Sequence, residues 1–120
     1  MPTVLVVDDS QMMRMILKDC LYKAGYNNVT EAENGLRALE KINEGDPPDI
    51  VILDINMPEL DGLETLRKLR ASGCHSKVIM CSAAGTTDKM NKAKALGASK
   101  FIVKPFTKEK LISAVSSSMN

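Results

Sequence analysis

The sequence predicts an α/β domain, a doubly wound (βα)5 unit built on a five-stranded parallel sheet. Three observations carry that reading. Short apolar runs alternate with longer amphipathic stretches five times along the chain. Four of the short runs are nearly continuous in apolar or β-branched residues, the pattern of strands covered on both faces, which implies a parallel sheet. The length of 120 residues suits one domain, and a 44% apolar content is that of a globular core.

The elements follow in order. TVLVV (3–7) is the first strand. Met13, Ile16, Leu17, Cys20, Leu21 and Ala24 recur at the spacing of one helical face, and Gly25 supplies a stop. NVTEA (28–32) is a more polar strand, suited to an edge or near-edge position. Asn34 can cap a second helix that carries Leu36, Leu39 and Ile42. IVIL (50–53) is the third strand, and Leu60, Leu63, Leu66 and Leu69 mark a third helix that ends near Ser72-Gly73. KVIMC (77–81) is the fourth strand. The helix over 87–96 is rich in alanine and lysine, with only Met90, Ala93 and Leu96 as a weak stripe, and Gly97 closes it. KFIV (100–103) is the fifth strand, and Thr107 can cap a last helix with Leu111, Ile112 and Val115. No linker, repeat or low-complexity segment divides the chain, so residues 1–120 are expected to form a single domain.

Composition narrows the function classes. No segment is apolar for long enough to span a bilayer, and no signal peptide is read at the N-terminus. Cys20, Cys74 and Cys81 are an odd number with no C-x-x-C spacing, which favours reduced thiols in a cytoplasmic protein over a disulfide or zinc site. The net charge of +1 hides an asymmetry: residues 1–64 hold 5 basic against 13 acidic side chains, and residues 65–120 hold 11 against 2. A basic half suits an acidic partner or simply a solvated surface, and composition does not choose between them.

Ligands of doubly wound sheets bind outside the carboxyl ends of the strands. Asp8 and Asp9 follow the first strand, Asp54 the third, Ser82 the fourth, and Lys104 with Pro105 the fifth. Singly, each reads as a cap, a turn residue or a surface side chain. Together they place three carboxylates, a hydroxyl and an ammonium on one rim. Adjacent carboxylates repel, and clustered carboxylates suit a hard cation such as Mg²⁺, which keeps waters that a phosphate can displace. Lys104 suits a phosphoryl oxygen, and Ser82 offers a hydroxyl donor. Asp54 sits between the acid pair and the lysine, where a carboxylate nucleophile could form an acyl phosphate.

The segments VLVVDDS, VILDINMPELDG, VIMCSAAG and FIVKPF, in this order and spacing, resemble the receiver domain of two-component response regulators. More narrowly, they resemble the stand-alone CheY-type chemotaxis regulators, over essentially the whole chain. The resemblance implies the flavodoxin-like, CheY-like strand order 2-1-3-4-5, an order already known for CheY. It implies that Asp54 accepts a phosphoryl group from a histidine kinase. It implies Mg²⁺ held by Asp9 directly, by Asp8 largely through water, by Asp54, and by the backbone carbonyl of Asn56. It also implies a cis peptide at Lys104–Pro105, and Met57, Pro58 and Gly62 match the family's loop after the third strand.

The same resemblance assigns a switch to Ser82 and Phe101. The Ser82 hydroxyl would be drawn to the phosphorylated aspartate, and the aromatic on the fifth strand would swing inward. Family members commonly carry Tyr where this chain has Phe101, so an inward ring here gains packing and no hydrogen bond. Asn56 and Ala84 would flank the path of an attacking water, with Asn56 orienting it or a phosphatase partner supplying the group. Output would pass through the face made by the fourth helix, fifth strand and fifth helix, which carries Lys89, Lys92, Lys94, Lys100, Lys108 and Lys110. The flagellar motor switch offers an acidic or amphipathic segment to such a face in this family. No effector domain, nucleic-acid contact, membrane contact or enzymatic turnover of a separate substrate is expected, and a monomer is.

Other readings share parts of this pattern. A single-domain phosphorelay carrier, passing phosphate to a histidine phosphotransfer protein, would use every one of these site residues. An aspartyl-nucleophile phosphohydrolase usually places D-x-D on its first strand, whereas Asp8 and Asp9 are adjacent. A flavodoxin-like cofactor binder would have a Ser-, Thr- and Gly-rich loop there, not a pair of acids that repels phosphate.

Overall fold

The computed structural model describes residues 2–83 and 87–119. Five strands alternate with five helices: β1 Val4–Val7, α1 Gln11–Lys23, β2 Val29–Ala32, α2 Gly35–Glu44, β3 Ile50–Asp54, α3 Gly62–Ala71, β4 Lys77–Ser82, α4 Thr87–Ala95, β5 Lys100–Val103 and α5 Lys108–Ser118. The strands form one parallel sheet, as the apolar runs predicted, in the order β2-β1-β3-β4-β5 that the resemblance implied.

Alternating strand side chains feed two apolar layers. Val4, Val6, Ile50, Ile52, Ile79 and Ile102 face Leu17 and Leu21 of α1 and Leu111 and Val115 of α5. Leu5, Val7, Val51, Leu53, Val78 and Met80 face Ala38 and Ile42 of α2, Leu66 and Leu69 of α3, and Ala93 of α4. Burial on both faces explains why β1, β3 and most of β4 read as unbroken apolar runs. β5 departs from that expectation. It is an edge strand, and Val103 is 46% exposed although it belongs to an apolar run.

The caps follow local chemistry. Asn34 accepts the Arg37 N–H and Thr107 the Lys110 N–H, as their positions predicted. Ser10 and Asp61 do the same for α1 and α3, two caps that the apolar stripes alone did not reveal. Gly25 and Gly97 take left-handed φ values of 96° and 87° at the ends of α1 and α4. Several stripe assignments need correction, among them Met90 of α4, which is 39% exposed. Ile16 and Leu36 are 45% and 47% exposed, because α1 and α2 each bury a narrower face, centred on Leu17 and Leu21 and on Ala38 and Ile42. Leu60 lies before α3, which begins at Gly62 once Asp61 has capped it. Among the described residues no helix is long and apolar enough to cross a membrane.

Candidate functional site

The chain runs from β1 to β2 on one side and then from β2 back across to β3 on the other side of β1, so a crevice opens at the carboxyl ends of β1 and β3. Asp8 follows β1 directly, while Asp54 is the last residue of β3 and Ser82 the last of β4, each one residue inside its strand rather than after it. Carboxylate oxygens of Asp8, Asp9 and Asp54 all lie within 4.8 Å of one another. Asp8 and Asp54 are buried, at 2% and 6% exposure, and Asp9 is open to solvent. Two buried carboxylates this close require positive charge.

Lys104 supplies it. Its Nζ lies 2.9 Å from Asp8 Oδ2 and 3.5 Å from Asp54 Oδ1. The Lys104 backbone N–H donates to Ser82 O at 2.8 Å, which fixes the lysine beside the end of β4. The Lys104–Pro105 peptide is cis, as expected. Burial works against the ammonium, but the Asp8 hydrogen bond and the charges of Asp54 and Asp8 outweigh it and raise its pKa. Burial raises the Asp54 pKa. Lys104 and a backbone hydrogen bond from Asn56 pull it back, Asp8 pushes it further up, and the net direction is upward.

The loop after β3 depends on one close approach. The Gly62 N–H donates to Ile55 O at 2.8 Å. A Cβ on Gly62 would stand 2.1 Å from Asp54 O and 2.7 Å from Ile55 Cα, so only glycine lets the loop fold back under the acid. Asn56 is thereby held at the rim with its side chain exposed, beside buried Met57. Ser82 is fully buried and has a partner of its own. Phe101 is half-buried against the α2–α3–α4 layer. It lines one groove of about 500 Å³ against α5 and another of about 310 Å³ against α4. Ala84 lies outside the described residues.

One residue of the site was missing from the sequence reading. Arg14 reaches back from α1, donating from Nη1 to Asp8 O at 2.6 Å and from Nε to Glu31 Oε1 at 2.7 Å. Its only sequence signal is a basic residue one and a half helical turns after the acid pair, which many surface arginines share.

The donor set is all oxygen, with one exposed carboxylate beside two buried ones, which fits a hard divalent cation rather than a thiol- or imidazole-seeking metal. This parallel order, with acids gathered at the β1–β3 crevice and a lysine arriving from β5, is the arrangement of a signalling receiver. A family model for the response regulator receiver domain matches residues 4–116, and the chain belongs to that family. It is 43% identical over 117 residues to the chemotaxis protein CheY of Bacillus subtilis, covering 98% of this chain and 97% of that one. It is 44% identical over 112 residues to CheY of Thermotoga maritima, covering 93% and 92%. Among solved structures, CheY4 of Vibrio cholerae superposes with a TM-score of 0.90 at 32% identity, covering 98% of both chains. The resemblance and the fold read from the sequence are thus borne out.

Proposed function

We propose that the chain, as a single receiver domain, is the phosphorylated switch of a chemotaxis two-component system. Asp54 is the acceptor, the phosphate donor is a histidine kinase, and the output target is the flagellar motor switch. The observation that supports this best is the buried Asp54 carboxylate, set between an acid cluster and the Lys104 ammonium 3.5 Å away.

Asp54 attacks the phosphorus of a phosphohistidine, the P–N bond breaks, and an acyl phosphate forms. The displaced imidazole takes up a proton. Lys104 pairs with a phosphoryl oxygen once Asp54 is phosphorylated, exchanging one anionic partner for another. Asp8, Asp9, Asp54 and the Asn56 carbonyl would hold Mg²⁺, which supplies charge neutralisation to the transferring group. Ser82 then donates to the phosphoryl group, and Phe101 repacks between its two grooves. Hydrolysis returns the carboxylate and inorganic phosphate, with Asn56 orienting the water or a phosphatase partner supplying that group. The readout surface is the face of α4, β5 and α5, where Lys94, Lys100, Lys108 and Lys110 are exposed. Lys92 is paired with Asp88 on the same helix, and Lys89 is half-buried with a partner.

The test is phosphotransfer from a labelled CheA-type kinase. Label should move to the wild-type chain and not to Asp54→Asn, and the labelled form should bind a motor-switch peptide more tightly than the unlabelled form. Transfer onward to a histidine phosphotransfer domain, with no gain in peptide binding, would instead identify a relay carrier.

A further inference from the structure

Asp9 is the least supported member of the acid cluster. Its carboxylate is exposed, and no hydrogen bond from the described residues holds it. Asp8, by contrast, has every polar atom engaged. Its N–H donates to Ala32 O at 3.3 Å. Its Oδ1 accepts from the Ser10 N–H at 2.9 Å, and its Oδ2 from Lys104 at 2.9 Å. Its carbonyl oxygen accepts from Arg14 at 2.6 Å.

The last bond bears on Asp9. A peptide unit is planar, so the direction of the Asp8 carbonyl fixes that of the Asp9 N–H and the placing of the Asp9 Cα. Arg14 pulls that carbonyl towards the β2 side, and it can do so only because its own position is fixed. Glu31 on β2 accepts from Arg14 Nε at 2.7 Å through Oε1 and from Lys18 Nζ at 2.6 Å through Oε2. Lys41 of α2 donates to the Glu31 carbonyl. The Lys18 and Arg14 hydrogen bonds hold the Glu31 pKa down, so it stays an anion at neutral pH. The Arg14 side chain is only 12% exposed, so water replaces it poorly.

We infer that Arg14, anchored by Glu31, is a positioning residue that orients the Asp8–Asp9 peptide so that the Asp9 carboxylate is aimed at a divalent cation. The inference rests on the cation site of the proposed function. It makes a prediction whose sign is opposite to simple electrostatics. Removing a positive charge beside an anionic cation site should tighten cation binding. Removing the residue that aims a ligand should weaken it, by about tenfold for an outer partner of this kind.

The experiment is an Mg²⁺ titration of the full chain followed by backbone amide NMR, without any phosphodonor. Arg14→Gln and, independently, Glu31→Gln should weaken Mg²⁺ by about tenfold and displace the Asp9 amide signal before metal is added. Arg14→Lys, which keeps the charge and one bond, should recover part of the loss. Lys18→Gln removes the same charge from the same cluster with no bond to Asp8, and it should leave affinity unchanged or slightly higher. The amide spectra of the variants report whether each is folded. Unchanged or tighter Mg²⁺ binding in both Arg14→Gln and Glu31→Gln would overturn the inference while leaving the cation site intact. No saturable Mg²⁺ shift in the wild-type chain, or one that survives Asp9→Asn, would overturn the cation reading itself.

Discussion

Lys104 Nζ sits 2.9 Å from Asp8 Oδ2, joining the end of β5 to the end of β1 across the crevice. The pair is nearly buried, with side-chain exposures of 16% and 3%, and the same ammonium lies 3.5 Å from Asp54. This ammonium is the positive charge that lets two buried carboxylates coexist. Lys104→Met should therefore destabilise the metal-free protein by about 3–5 kcal/mol at neutral pH, the usual result of stripping one partner from a buried pair. Added Mg²⁺ should recover much of that loss. Urea denaturation with and without Mg²⁺ measures both.

Asp54 carries its charge at a cost. Its folded pKa is raised above 3.8, chiefly by burial. A raised carboxylate pKa means that the folded state binds more protons than the unfolded state between the two values. Stability then falls as pH rises through that window, and the full penalty is present above it. Asp54→Asn should stabilise the metal-free protein at pH 7, with the gain shrinking as pH drops towards 3.8. Thermal melts across pH 3 to 7, with the variant beside the wild type, would show the two curves converging at the acid end.

Gly62→Ala should be among the most damaging single-methyl additions in the chain. The new Cβ would meet Asp54 O at 2.1 Å, backbone that cannot yield cheaply. A loss of about 3 kcal/mol in denaturant unfolding is expected, with weaker Mg²⁺ binding in the fraction that folds.

Arg70 of α3 donates Nε to Leu96 O at 3.2 Å and Nη2 to Gly97 O at 3.0 Å, and it holds the Cys74 carbonyl with Nη1 at 3.0 Å. One guanidinium thus caps the carboxyl end of α4, a helix whose only buried residue is Ala93. Arg70→Met should cost about 1–2 kcal/mol. It should also speed amide exchange in the last turn of α4 while leaving exchange in β1 and β3 slow.

The cysteines give a direct check on packing. Burial pushes the Cys81 thiol up to about 12, and Cys74 is also buried, whereas Cys20 is partly exposed. Alkylation of the native protein at pH 8 should modify Cys20 first, and Cys74 and Cys81 only after unfolding. Peptide mapping reads the order.

The rim of the site was legible from sequence because strand-end positions follow from where apolar runs stop. Asp8, Asp54, Ser82 and Lys104 needed only that rule. An edge or near-edge position was legible for β2 from its polarity, and not for β5, whose run KFIV looks like an interior strand. The reach of Arg14 to Asp8 O was not legible. It depends on the position of β2 beside α1, which brings together Arg14 and Glu31, seventeen residues apart. The exposure of Ile16 and Leu36 was hidden for a similar reason, since periodicity gives the apolar face but not how much of it the sheet can cover.

The proposed function requires Asp54 to be a Mg²⁺-dependent phosphoacceptor. Intact-mass spectrometry of the chain incubated with Mg²⁺ and acetyl phosphate tests it most directly. The expected result is a labile gain of about 80 Da, one phosphoryl group, that disappears without Mg²⁺ and in Asp54→Asn. An adduct that forms equally in Asp54→Asn, or without any divalent cation, would contradict it.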